Sequence, residues 1–249
     1  MKFVVKNTIK GGWLDLLCPH TCRGCGRLGA IICERCKNDL MKRRLQVCPL
    51  CKQSLAEKAE NGAEWRRYHC SDCELPLEAI FVGGWREGAL DRLVKDFKYH
   101  AVRAAGGVLT ELLDTAIPRL EDEVVVVPLP TIGKHVRARG IDHTLVLGRK
   151  LARRRNWSCQ RILQRAADTV QVGTKMAARQ TQANRAYQVT SEVAPGVTYL
   201  LLDDIWTTGA SLLAAERVLR RAGAQKIMAA VIAISPSKRP ADMAGREAS

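Results

Sequence analysis

An apolar run that stops at two adjacent carboxylates and then turns through small hydroxylated residues leaves a chain few ways to fold. Tyr199, Leu200, Leu201 and Leu202 are uniformly apolar, which suits a parallel strand covered on both faces. Asp203 and Asp204 close that strand, at the end where an α/β sheet opens its ligand crevice. Thr207, Thr208, Gly209, Ala210 and Ser211 then lead into a helical pattern over residues 211–222. Free N–H groups at a helix start, together with the helix dipole, favour a phosphate. Hydroxyls add donors, and Gly209 lets the backbone come close. The two carboxylates repel a phosphate, so they face something else, either sugar hydroxyls or a magnesium ion that carries further phosphates. The plain alternative is a strand–turn–helix in which an acid merely caps the helix, but a cap needs one acid and not two.

Cysteine usage divides the chain. Nine of the ten cysteines precede residue 74, and only Cys159 lies beyond. Four C-x-x-C pairs stand among them: Cys22/Cys25, Cys33/Cys36, Cys48/Cys51 and Cys70/Cys73. One such turn offers two thiolates to an ion about 2.3 Å away, so two turns complete a tetrahedral site. The simplest partition is one zinc site from Cys22, Cys25, Cys33 and Cys36, and a second from Cys48, Cys51, Cys70 and Cys73. Spacing alone leaves crossed pairing open, with Cys18 spare and His20 and His69 as possible substitutes. Competing readings are an iron–sulfur cluster and a redox dithiol, which normally comes singly in a βαβ setting that this segment lacks. Small modules of this kind fold because the metal supplies the missing core energy.

The remainder alternates strand and helix. Residues 79–85 and 124–127 read as strands, the second ended by Pro128-Leu129-Pro130, since proline cannot donate to a ladder. Leu90, Leu93, Val94 and Phe97 give residues 86–99 the spacing of an amphipathic helix. Its basic residues Lys95 and Lys98 read as a solvated face, or less simply as reaching a ligand. Residues 104–117 make another helix, and a further one runs through Leu145, Leu147, Leu151 and Ala152. Strand 198–202, helix 211–222 and strand 226–234 complete a βαβ unit with an expected right-handed crossover. The fold class is therefore α/β, a parallel sheet with helices on both faces behind a small Cys-rich module. Expected boundaries are 13–75 for a double zinc ribbon and 79–235 for the α/β domain, with a Pro- and charge-rich disordered tail at 236–249.

A 47% hydrophobic chain of 249 residues can bury a sizeable core, and its longest apolar runs are of strand length. The basic N-terminus lacks a continuous signal-peptide core, so a cytoplasmic location without membrane insertion is expected. A net charge of +15 implies anionic partners.

Residues 199–211 resemble the phosphoribosyl-diphosphate loop of type I phosphoribosyltransferases, with Trp206 where that family usually has a small aliphatic residue. The order of features resembles the ComF family, GntX-type members included. It runs from cysteine pairs to the Lys-x-x-Lys-Tyr helix end of Lys95, Lys98 and Tyr99, then Val-Pro-Leu-Pro at 127–130, Arg-x-Arg-Gly at 137–140 and the Asp-Asp segment. That family joins a double zinc ribbon to a phosphoribosyltransferase-like domain and is linked to DNA uptake and competence. The resemblance implies a magnesium-dependent phosphoribosyltransferase binding 5-phosphoribosyl 1-diphosphate. Asp203 and Asp204 would hold the ribose hydroxyls, partly through magnesium-bound water, and Thr207, Thr208, Gly209, Ala210 and Ser211 the 5′-phosphate. Pro130, Thr131 and Lys134 would meet the diphosphate, with Arg137 and Arg139 joining the acidic pair as catalytic residues. Two stretches depart from the family. Ile141, Asp142 and His143 replace a usual Phe-Asn-Gln, and Asp168-Thr169-Val170-Gln171 replaces Asp-Thr-Pro-Pro-Gln.

A second reading is a non-catalytic nucleic-acid-binding accessory protein that uses this fold as a ligand sensor, with single-stranded DNA or DNA-uptake proteins as partners. The charge suits it, above all the run Arg153-Arg154-Arg155. Only 5% of residues are aromatic, and no stacking platform interleaved with basic residues is visible.

Overall fold

The computed structural model describes residues 20–42, 48–51, 73, 75–99, 102–120, 122–131, 136, 140–165 and 186–236. Of the residues singled out from sequence, the tail beyond 236, Lys134, Arg137, Arg139, the 168–171 stretch, Cys18, His69 and Cys70 fall outside these residues.

Its centre is a five-stranded, all-parallel sheet with strand order β3-β9-β8-β4-β5. These strands are β3 (Ile80–Val82), β4 (Val124–Pro128), β5 (Ser158–Cys159), β8 (Thr198–Trp206) and β9 (Lys226–Ile234). Helices α2 (Gly88–Tyr99), α3 (Arg103–Ala116) and α4 (His143–Arg155) pack on one face, and α5 (Ala210–Arg221) on the other. Strand alternation divides the core accordingly. Val124, Val126, Leu200 and Leu202 join Leu93, Leu109 and Leu147 on one side. Val125, Val127, Tyr199 and Leu201 join Leu212, Ala215 and Leu219 on the other. A two-stranded antiparallel ribbon, β6 (Leu163–Arg165) with β7 (Tyr187–Val189), belongs to the α5 side. In front of the sheet, β1 (His20–Thr21) pairs with β2 (Leu28–Gly29), followed by α1 (Glu34–Lys42).

Two expectations need correction. The strand expected over 79–85 is only three residues long. Beyond it, Gly83 and Gly84 still follow β9, because a side chain at Gly83 would place its Cβ 2.5 Å from the Ile232 carbonyl oxygen, and Ile234 N–H donates to Gly84 O at 3.0 Å. More important for the site, β8 does not stop at Leu202. It continues through both acids to Trp206, and past Leu202 it pairs with β9 alone. The last bond on the other side is Leu129 N–H to Leu202 O at 2.9 Å. Pro130 then lacks the N–H that would extend β4, and its departure opens the edge of β8 beside Asp203.

The first cysteine turn is not a free-standing bead. Cys22, Ile31 and Ile32 are buried in the same apolar cluster as α2, α3 and the sheet. Arg23, between two cysteines of a pair, forms a two-pronged ion pair with Asp96 of α2, its Nη2 donating to Oδ1 at 3.1 Å. Arg92 of α2 donates back to the Arg23 carbonyl at 2.7 Å, and Lys37 of α1 pairs with Glu111 of α3 at 2.9 Å.

Candidate functional site

The sulfur atoms of Cys22, Cys25, Cys33 and Cys36 all lie within 4.8 Å of one another, and so do those of Cys48, Cys51 and Cys73. The sulfurs therefore group as the simple partition expects. The fourth member of the second group, Cys70, lies outside the described residues. In the first group the turn is shaped around the sulfurs. Gly26 adopts φ +78°, Gly26 N–H closes the turn onto Cys22 O at 3.0 Å, and Gly24 packs so closely that a Cβ would meet Cys36 Sγ at 2.5 Å. Backbone N–H groups of Gly24 and Cys33 donate to Cys22 Sγ at 3.4 and 3.3 Å. Burial disfavours the Cys22 thiolate, but donors from Cys25, Cys33 and Gly24 outweigh it and bring the thiol down to about 6. Cys36 is driven the opposite way, to about 12, first by the Cys33 sulfur, then by burial and by Cys25 and Cys22. Four thiols so close cannot ionise together without a cation among them, and a dication that takes soft sulfur ligands relieves the conflict. The donor set fits zinc.

The second constellation sits where β4 and β8 end. The chain leaves β4 through α4 towards β5 on one face, and leaves β8 through α5 towards β9 on the other. Their shared end is the point where the winding reverses, the position at which open α/β sheets bind ligands. There Gly209, at φ +75°, delivers the backbone to the first turn of α5 and caps it without any side-chain hydrogen bond. Neither acid is the helix cap. Thr207, Thr208, Ala210 and Ser211 are exposed, and the Ala210 N–H reaches only Thr208 Oγ1, at 3.4 Å. Trp206 explains its own unusual presence: it is buried, and its ring fills the space next to Gly209, 2.2 Å from where a Cβ would stand.

Successive strand residues face opposite ways, and the two acids meet different company. Asp204 pairs with Lys98, from the last turn of α2, at 2.6 Å. Asp203 accepts the Asp204 N–H at 2.8 Å and lies in the field of Arg165 from β6. Burial, and then the charge of Asp204, push the Asp203 carboxyl up to about 7, while Lys98 and Arg165 act in the other direction. Arg165 itself donates to Pro130 O at 3.0 Å and to Tyr187 Oη at 3.3 Å, and lies over the Tyr187 ring. It thereby ties the turn after β4 to the ribbon. Thr131, across the crevice, donates to Asp142 at 3.2 Å.

Several residues weighed in the sequence have other duties. Asp142 caps α4, accepting from Leu145 N–H at 3.3 Å, and His143 is buried with its ring edge-on to Phe97 at 5.0 Å. The departures at 142 and 143 thus serve the helix start and the core. Lys95 pairs with Asp91 one turn away at 2.7 Å. Arg154 and Arg155 both bind Asp114, and Arg155 also reaches the carbonyls that end α3 at Asp114, Ile117 and Pro118. Arg153 alone of that run is left to solvent with no such tie. Among the site's own residues, Arg165 and Tyr187 escaped sequence reasoning. Arg165 was only one of ten basic residues between His143 and Ser191, and nothing local to it signals the crevice. Lys134, Arg137 and Arg139 lie outside the described residues. Among the described residues, no helix is long and apolar enough to cross a membrane.

No known protein family model and no curated protein matches this chain.

Proposed function

We propose that the chain is a phosphoribosyltransferase-like protein that binds 5-phosphoribosyl 1-diphosphate with magnesium, in keeping with its resemblance to the ComF family. One observation carries the reading. At the reversal point of the sheet, a pair of carboxylates on β8 stands directly before a helix start capped by a glycine, where the Thr208 hydroxyl accepts the Ala210 N–H. Few ligands need both an anion cradle and carboxylates one turn away; a phosphorylated sugar with free hydroxyls does.

In this reading the 5′-phosphate takes the N–H groups of the first turn of α5 and the hydroxyls of Thr207, Thr208 and Ser211. Asp203 and Asp204 accept from the ribose hydroxyls. Two carboxylates are the hard oxygen donors magnesium prefers, and the cation, when bound with the ligand, offsets charge on the diphosphate. The turn at Pro130 and Thr131 forms the facing wall, pinned by Arg165, with Lys134, Arg137 and Arg139 following in sequence to meet the leaving diphosphate. Departure of diphosphate leaves a cation-like ribose C1, so the protein's part is positioning and electrostatic stabilisation, not covalent chemistry.

Calorimetric titration with phosphoribosyl diphosphate and magnesium tests the reading. Asp203→Asn with Asp204→Asn keeps the shape and removes the charges. Hydrogen bonds to charged groups contribute roughly 1.5–3 kcal/mol each, so the double variant should bind on the order of a hundredfold more weakly. Equal binding by parent and variant overturns the assignment. Diphosphate release across candidate nucleobases then distinguishes turnover from binding alone.

A further inference from the structure

We infer that Lys98 guards Asp204 against a bare divalent cation, so that magnesium enters the site together with its phosphorylated ligand and not ahead of it. This rests on the proposed ligand, and it follows from where Lys98 is held. Its ammonium lies 2.6 Å from Asp204, with only 14% of the side chain exposed. The helix end that carries it is fixed from both sides. Phe97 is buried in the core, and Asp96 is locked by Arg23 of the cysteine turn. Lys98 is thus a positioned counter-ion and not a surface lysine that happens to fold over.

Arg165 faces Asp203 from the ribbon side, and Lys98 faces Asp204 from the α2 side. A hydrated divalent cation arriving alone must displace the ammonium or share the carboxylate with it, and its own charge repels Lys98 at short range. A ligand that brings phosphate oxygens with the cation offers the displaced ammonium a new anionic partner, so the exchange no longer leaves a buried cation unpaired. Lys98 acts through Asp204 and is a positioning residue.

The test uses manganese(II) as the probe, with free ion followed by its electron paramagnetic resonance signal, on the full zinc-loaded chain without ligand. Lys98→Met keeps the apolar stem and removes the charge. Removing one like charge from a half-buried site should tighten manganese binding about tenfold or more. Lys98→Arg should bind manganese as weakly as the parent does, and the gain in Lys98→Met should vanish when Asp204→Asn is added. Should Lys98→Met fail to fold, Lys98→Gln carries the same comparison. Unchanged manganese affinity in a folded, charge-removed variant overturns the inference, as does a gain that survives Asp204→Asn. Phosphoribosyl diphosphate titrated into the same parent samples separates the two claims. If the parent binds the ligand while the variants leave manganese affinity unchanged, the guard fails and the ligand assignment stands. If the parent binds no ligand, the assignment fails whatever manganese does.

Discussion

Arg23→Ala should destabilise the α/β domain as well as the cysteine turn in which the residue sits. The Asp96 side chain is 7% exposed and the Arg23 side chain 35%. Truncating the arginine therefore strands a carboxylate that water reaches poorly. Breaking a fully buried pair from one side costs about 3–5 kcal/mol. Partial solvation of Arg23 lowers the figure here to about 2–3 kcal/mol, because part of its attraction is already screened. For a chain of this size roughly 2–4 °C in melting temperature accompanies each kcal/mol, so the midpoint should fall by about 4–12 °C. Thermal unfolding of the zinc-loaded protein, followed by near-ultraviolet circular dichroism, reads the midpoint. A zinc-sensitive dye reads metal release in the same samples, and the two should move down together. Replacing both partners, Arg23→Met with Asp96→Leu, should recover half or more of the loss, since the stranded charge is then absent. A loss below about 0.5 kcal/mol for Arg23→Ala, the level of an ordinary exposed pair, would refute the coupling of turn and domain.

Gly209→Ala should cost about 2–4 kcal/mol in urea denaturation, combining a left-handed non-glycine residue with a Cβ driven into the Trp206 ring; Trp206→Leu in that background should recover part of it, and a neutral Gly209→Ala would show that the turn is loose. The Asp203 carboxyl lies above its unfolded value of 3.8, at about 7, so the native state keeps a proton that the unfolded state has lost, and stability should fall as pH rises from about 4 to about 7. Asp203→Asn lacks that loss, so its advantage in melting temperature over the parent should grow across the same window; a constant difference would contradict the shift. Metal analysis should find about two zinc ions per chain, and about one in Cys33→Ala, because two separate cysteine groups could each hold one ion.

The segment from Tyr199 to Ser211 was readable because every cue in it is local: an apolar strand, two acids, a glycine at a left-handed turn, and a helix start. The cysteine groups were readable for the same reason, since a C-x-x-C turn sets its own geometry. What was hidden depends on distance along the chain. Lys98 looked like part of a solvated helix face, and only the passage of α2 across the end of β8 turns it towards Asp204. Arg165 lies 22 residues from Tyr187, and more than 30 from both Pro130 and Asp203, so no window of sequence unites them. The run Arg153-Arg154-Arg155 shows the same dependence on distance. Its charge suggests a nucleic-acid surface, and nothing local to it signals that Arg155 directs donors to carbonyls at the end of α3. Even the strand end shifted, because the apolar run predicts where β8 is covered on both sides and not where its pairing with β9 stops.

Trp206 gives the crevice one stiff wall. Its indole packs against the turn at Gly209, and its carbonyl accepts from the Ser235 N–H at the end of β9 at 2.9 Å, so the turn into α5 is set when the sheet folds and, on the proposed reading, little ordering is left for a ligand to supply. Adjustment to differently shaped ligands then falls to the turn at Thr131, where a hydroxyl bonded to Asp142 stands instead of an aromatic plate. On the proposed reading, a crevice with one wall set and the other adaptable grips the ligand's phosphate the same way each time and discriminates at the far end.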